Sequence, residues 1–238
     1  MTHPFFPDDI PNRTAYDIEL GGDIPKQGDG RLNWNAVKKG RVGISTIAFW
    51  NTGDIAPMLG LCDTTRLPRV ILTEHWMAKQ FSRAEGIISW NGAGFDNPVV
   101  VNGIPRLGEV IMAKKCVDLM AIMALLKTGT DPAVLETGVP EDWMSMAPRI
   151  GRSAHGWINA GFGLDAVAKA TLGAWTGKMA GFDGAKVIKA WQQGRYSEVG
   201  SYCIGDVALT LILYAFAWEH GWLESPSQGR VEMPREVL

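Results

Sequence analysis

Residues 13–20 read Arg13-Thr14-Ala15-Tyr16-Asp17-Ile18-Glu19-Leu20. β-branched and aromatic residues alternate here with polar ones, the pattern of a short strand. On a strand, Asp17 and Glu19 point to one face, while Tyr16, Ile18 and Leu20 point to the other. Two carboxylates side by side repel, and the pair is costly unless a cation lies between them. An isolated Asp-x-Glu pair is ordinarily a solvated strand face, so the reading turns on what else the chain offers.

Two further segments carry matching chemistry. Trp90-Asn91-Gly92-Ala93-Gly94-Phe95-Asp96-Asn97-Pro98 follows the apolar run Gly86-Ile87-Ile88-Ser89. Asp96 therefore lies just past the C-terminal end of a strand, where open α/β sheets bind their ligands. Asp is also a common helix cap, and a helix beginning near Pro98 would use it so. Tyr202-Cys203-Ile204-Gly205-Asp206 lies in a long apolar segment. Tyr202 and Asp206, four apart, share one helical face. A carboxylate on that otherwise apolar helix needs a partner, because burying it alone costs several kcal/mol.

The surrounding pattern is α/β. Residues 41–50 read as a strand, Asn51-Thr52-Gly53-Asp54 as a hairpin turn, and Ile55–Leu61 as the return strand. A helix is expected from a Thr73 cap through HWMAKQFSRA, and a strand at 86–90. Residues 109–127 fit a strand followed by a helix, or one continuous helix. Helices are expected over Leu164–Leu172, Ala185–Gln193 and Tyr196–Glu219, the last with Val199, Cys203, Val207 and Tyr214 near one face. Residues 128–163 hold six glycines and three prolines. That composition suits an irregular insertion, expected to serve for partner contact or as a lid over the substrate channel. Pro4, Pro7 and Pro11 make 1–12 an extended arm. The whole of 1–238 reads as one domain.

Taken together, YDIEL, WNGAGFDNP and YCIGDVALT resemble the three motifs of the DEDD 3′–5′ exonucleases, the DnaQ-like group. Their order and spacing match over roughly residues 13–220. The position five before Asp206 is Ser201 rather than His, and the position four before it is Tyr202. The resemblance is thus to the DEDDy branch, and the form of the second motif is similar to that of family B DNA polymerase exonuclease domains and their stand-alone relatives. Nothing in the chain resembles the palm signature YxDTDS.

The resemblance implies an RNase H-like fold, a mixed central β-sheet flanked by α-helices. It implies two divalent cations, Mg²⁺ or Mn²⁺, held by Asp17, Glu19, Asp96 and Asp206. These activate water and stabilise the leaving 3′ oxygen, with nucleoside 5′-monophosphates as products. By the same resemblance Asp17 bridges both ions, Glu19 and Asp206 serve the nucleophile-side ion, and Asp96 holds the other. Tyr202 orients the attacking water, since a phenol of pKa ~10 is a poor base at neutral pH. Asn91 and Phe95 line the channel for the terminal nucleotides. Leu20 stands where relatives often have a small residue near the terminal nucleotide, which bears on sugar or base preference.

The implied partner is the 3′ end of a single-stranded or frayed nucleic acid, DNA in preference to RNA, with a separate DNA polymerase as a further partner in a proofreading or repair role. Two other readings stay open: the same chemistry on RNA, and a catalytically silent nucleic-acid-binding module.

Composition sets the outer limits. Lys plus Arg is 23 and Asp plus Glu is 25 in 238 residues, for a net charge of −2. Phosphate recognition must then come from a local patch or bound metal rather than from the global field. The basic pairs Lys38-Lys39, beside Arg41, and Lys114-Lys115 read as solvated surface. Asp118 reads as structural, and Asp165 and Asp183 as caps or loop carboxylates. Cys62, Cys116 and Cys203 show neither a disulfide framework nor zinc spacing, so a reducing, cytoplasmic setting is expected. The four histidines lack metal spacing, and Gly173–Met179 only faintly resembles a phosphate loop. The most apolar stretch, Val207–Trp218, spans 12 residues against the ~20 a bilayer requires, so no membrane association is expected.

Overall fold

A computed structural model describes residues 6–61, 67–129, 132, 158–173, 182 and 184–238. The strand at the centre of the sequence argument is β1 (Arg13–Leu20), and it is also the middle strand of a five-stranded sheet. On one side it pairs antiparallel with β2 (Ile44–Asn51), which pairs antiparallel with β3 (Met58–Leu61). On the other it runs parallel to β4 (Gly86–Ser89), which runs parallel to β5 (Lys115–Asp118). The order is β3-β2-β1-β4-β5, a mixed sheet as expected.

Alternation along β1 divides the core. Tyr16, Ile18 and Leu20 pack with Met77, Phe81, Val99, Val100 and Leu107. These come from α2 (Leu67–Ser82), α3 (Asp96–Gly103) and α4 (Pro105–Met112). Ala15, on the opposite face, joins Met120, Ile122, Cys203, Val207 and Leu211. Those residues belong to α5 (Leu119–Thr128) and to the long α8 (Tyr196–His220). Each large side chain so buried is worth roughly 1.5–3 kcal/mol. Between these elements lie α1 (Trp34–Lys38), a π-helical turn (Ile158–Phe162), α6 (Leu164–Leu172) and α7 (Gly184–Gln192).

Helix α8 is 25 residues long and, by length and composition, apolar enough to cross a membrane. The 12-residue stretch Val207–Trp218, interrupted by Thr210, is the most apolar part of this longer helix. Two-thirds of its apolar window is buried inside the protein, however, and it lies across β1 and β2. Its apolarity is that of a central core helix. At Gly200 the helix comes so close to β3 that a Cβ would sit 2.7 Å from Leu59 Cδ2.

Several boundaries differ from expectation. Helix α2 begins at Leu67, six residues before Thr73, because Pro68 fits the first turn, where its missing N–H costs nothing. Strand β3 begins at Met58 rather than Ile55: Pro57 cannot donate to the ladder, and Ile55 is left 78% exposed. Residues 109–127 resolve into the end of α4, then β5, then α5. A C-terminal hairpin of β6 (Trp222–Ser225) and β7 (Gly229–Glu232) has no counterpart in the sequence reading. Its four-residue strands are too short to show periodicity. Over residues 6–12 the expected extended arm is a turn docked on the body. Phe6 lies edge-on to Trp50 at 5.8 Å, and Asp9 pairs with Arg235 at 2.7 Å. Most of the 128–163 insertion lies outside the described residues, as do Cys62, Asp183 and residues 174–181.

Helices α3 and α4 form a tight pair. A Cβ on Gly108 would lie 2.7 Å from the Val101 Cα. That neighbour is backbone and cannot swing away. Gly108→Ala should therefore lower stability by about 1–3 kcal/mol, read as an earlier midpoint in urea denaturation. An unchanged midpoint would show that the pair has slack.

Candidate active site

Strand β1 delivers Asp17, half-buried, and Glu19, buried, to the face that α8 covers. From α8 come Tyr202, Cys203 and Asp206, all buried. One ligand atom each from Asp17, Glu19 and Cys203 lies within 4.8 Å of the others. The Cys203 thiol donates toward the Asp17 main-chain oxygen at 3.4 Å and lies 3.6 Å from Asp17 Oδ2. The Tyr202 hydroxyl donates to the Asp206 carboxylate across one helical turn. Tyr202 also packs its ring against Phe182, centroids 5.3 Å apart.

The second segment is shaped by a residue the sequence reading placed outside the site. Asp118, at the end of β5, accepts hydrogen bonds from the backbone N–H groups of Asn91 (3.0 Å), Ala93 (2.8 Å) and Ala121 (3.1 Å). It caps α5 and clamps the loop after β4 at the same time, a structural role as expected. Within that loop Asn91 takes a left-handed φ of 63°, which Asn tolerates better than most residues. Gly94 lies beneath its side chain: a Cβ there would be 2.5 Å from Asn91 Oδ1. Helix α3 starts at Asp96 itself, behind Phe95, with no side-chain cap. Asp96 is thus a member of the first turn and not the cap expected on ordinary helix grammar. Its carboxylate accepts instead from its own N–H and from that of Ile18, which binds this segment to β1. Asn97 accepts from the Tyr16 hydroxyl and donates to Cys116 Sγ at 3.3 Å.

Electrostatics follow from crowding acids out of water. Burial, then the Asp118 and Asp206 charges, push Asp96 up to about 8. Burial lifts Asp118 to about 6 against the pull of its backbone donors. Burial, reinforced by Asp206, Glu19 and Asp17, raises the Tyr202 phenol far above its ordinary value. The same cause, with Asp17 and Glu19, keeps the Cys203 thiol protonated. The donors are therefore carboxylate oxygens whose mutual repulsion a hard divalent cation would relieve, and the residues present fit such an ion.

Beside Glu19 a cleft of about 320 Å³ opens, lined by Ile18, Leu20, Asn91, Gly94 and Phe95, with Ile188 from α7. The three residues expected to meet substrate, Leu20, Asn91 and Phe95, thus line one cleft. Trp34 and Lys38 of α1, which also line this cleft, were missed, and Lys38 is half-buried rather than solvated. A basic pair after a Gly-rich connection gives no signal of where its helix folds. Lys114 is likewise engaged, donating to the Ala84 main-chain oxygen. Lys115 reaches the Glu236 main-chain oxygen at 3.5 Å.

Residues 153–227, which include Tyr202 and Asp206, match a family model described as "Predicted 3'-5' exonuclease related to the exonuclease domain of PolB". The chain resembles a polymerase exonuclease domain. In fold it is similar to the family B DNA polymerase from the hyperthermophilic archaeon Pyrobaculum calidifontis, with a TM-score of 0.52 and 17% identity. That likeness covers 87% of this chain and 24% of the polymerase chain, so the chain spans about a quarter of that structure's length. No curated protein matches the chain. The fold is the RNase H-like α/β arrangement of such exonuclease domains, a mixed sheet between helices.

The raised carboxylates make a stability prediction for this fold in a chelator. Groups whose folded pKa exceeds the unfolded value hold extra protons when native, so stability is greatest at acid pH and is lost as pH rises through the folded values. With Asp118 at about 6 and Asp96 at about 8, the melting temperature in EDTA should fall between pH 5 and 8.5. Asp118→Asn should remove the lower part of that fall. A melting temperature that rises across this window would contradict the assignment.

Proposed function

We propose that the chain is a metal-dependent 3′–5′ exonuclease that removes nucleoside 5′-monophosphates from single-stranded or frayed DNA ends. The observation that carries this reading is the meeting of β1 and α8, which puts Asp17 and Glu19 beside Cys203, one turn from Asp206. Asp96, joined to β1 through the Ile18 N–H, completes the carboxylate set.

Asp17, Glu19, Asp96 and Asp206 hold two divalent cations, Mg²⁺ or Mn²⁺. Bound there, the cations supply charge neutralisation at the phosphate and a more acidic water. The reaction adds water to phosphorus and breaks the bond to the 3′ oxygen of the preceding nucleotide, which leaves with a proton as a new 3′-hydroxyl. Tyr202, its phenol held protonated, fixes the direction of the attacking water by hydrogen bonding and does not take its proton. Cys203 keeps Asp17 in place through its thiol hydrogen bond. Phe95 offers its ring to a base, a contact worth ~1–3 kcal/mol in any sequence. Asn91 aligns the end of the strand.

Support for DNA comes from the cleft beside Glu19, where Ile18, Leu20, Ile24 and Ile188 make the lining largely apolar. A 2′-hydroxyl buried there without a partner costs ~1–3 kcal/mol. A separate polymerase supplying frayed ends is the partner we assign.

The test uses 5′-labelled DNA and RNA single strands of matched sequence with Mg²⁺, Mn²⁺ or EDTA. The expected result is a metal-dependent ladder shortened from the 3′ end, stronger on DNA. Asp17→Ala should lower the rate by more than about 100-fold. Tyr202→Phe keeps the ring against Phe182 and should reduce kcat rather than raise KM. Retained binding with no cleavage of either strand under any metal would overturn the reading in favour of a silent module.

A further inference from the structure

The connection from β1 to β2 carries α1, an element with no part in the acidic cluster. It nevertheless supplies one side of the cleft next to Glu19. Trp34, at its start, stands edge-on to Phe95, with ring centroids 5.9 Å apart and planes at 76°. Lys38, one turn later on the same helical face, lines the same cleft. Its ammonium is half-buried and forms no ion pair or hydrogen bond among the described residues, and burial lowers its pKa. Cations this desolvated normally have an anion beside them. Lys38 is also not within ion-pairing distance of Glu19, although both line the cleft. Lys38 thus lines the cleft without pairing with the carboxylates, and its ammonium is left to face a phosphate of a strand lying there.

Helix α1 is held in this position by α3. Asn102 Nδ2 donates to the Lys38 main-chain oxygen at 2.9 Å and to that of Pro98 at 2.8 Å. Gly40, just past the helix, takes a left-handed φ of 69°, and a Cβ there would be 2.7 Å from the Asn102 oxygen. The helix that begins with Asp96 thus also fixes the distance between Trp34 and Phe95.

We infer that α1 is a second substrate wall, in which Trp34 stacks a base near the 3′ end and Lys38 holds a backbone phosphate upstream of the scissile one. The inference rests on the exonuclease reading of the adjoining carboxylates. It makes α1 a strand-gripping element that adds to the contacts of Phe95 and Asn91, while the chemistry resides in the carboxylates of β1, α3 and α8. Asn102 and Gly40 are positioning residues for it and touch no substrate.

The experiment measures binding of a 5′-labelled single-stranded DNA in the Asp17→Ala background, over a series of salt concentrations. Cleavage kinetics follow in the otherwise unaltered protein. Trp34→Ala should weaken binding about 5- to 150-fold, the range for one lost base stack. It should raise KM more than it lowers kcat. Lys38→Gln should weaken binding and make the slope of log affinity against log salt shallower by about 0.7, the signature of one lost phosphate contact. Lys38→Arg should restore most of that slope. Asn102→Ala should reproduce part of both effects. The exposed Lys127, replaced by Gln, serves as the surface control.

Melting temperatures establish that each variant folds. If Trp34→Ala and Lys38→Gln fold but match the Lys127 control in affinity and salt slope, the second wall is refuted and the exonuclease reading stands. If the unaltered protein cleaves no strand under any metal, the exonuclease reading itself fails, and with it the role given to α1.

Discussion

Three backbone N–H groups converge on the Asp118 carboxylate, and the acidic cleft depends on that convergence. Two of them belong to the loop that leaves β4, and the third opens α5. With the loop tied down at Asn91 and Ala93, Phe95 is presented to the cleft and Asp96 to β1. Such a carboxylate can be buried because its donors compensate desolvation, and the compensation is costly to remove. Asp118 carries no reacting group. Its position at the end of β5 nevertheless determines where two of the site's elements begin.

The rest of the structure manages the charge that this arrangement concentrates. Acids from β1, α3 and α8 are drawn together out of water, where each raises the cost of ionising the next. Glycine eases the crowding wherever chain meets chain: Gly94 under Asn91, Gly108 against α3, and Gly200 against Leu59. The Ile18 N–H stabilises Asp96, and Tyr202 stabilises Asp206. These contacts lower the repulsion without removing it, so a site of this kind holds a latent affinity for multiply charged cations.

Much of this was legible in the sequence because the decisive residues sit on regular elements. Period-two alternation placed Asp17 and Glu19 on one face of β1, and helical spacing placed Tyr202 and Asp206 together. Local rules failed where distant chain intervened. The cap expected at Asp96 yielded to the N–H of Ile18, a tertiary contact that no window of neighbours reveals. Lys38 looked like solvent-facing charge because α1 packs on α3 and shares its cleft with α7, both far along the chain. Cys203 beside Asp17 is a contact across 186 positions, and only its place three residues before Asp206 hinted at it. The C-terminal hairpin and the start of α2 were missed for lack of a repeating pattern, although Pro68 marks the latter.

That last separation has a consequence for how the protein comes into being. Strand β1 is made early and α8 late, so closing the acidic cleft requires a loop of 186 residues. Contacts of such range form slowly, after local hairpins and helices are in place. On a ribosome, Asp17 and Glu19 emerge long before Asp206 exists. The site therefore cannot assemble on a partial chain. Synthesis itself delays it, and a chain that ends before Asp206 lacks one member of the proposed carboxylate set.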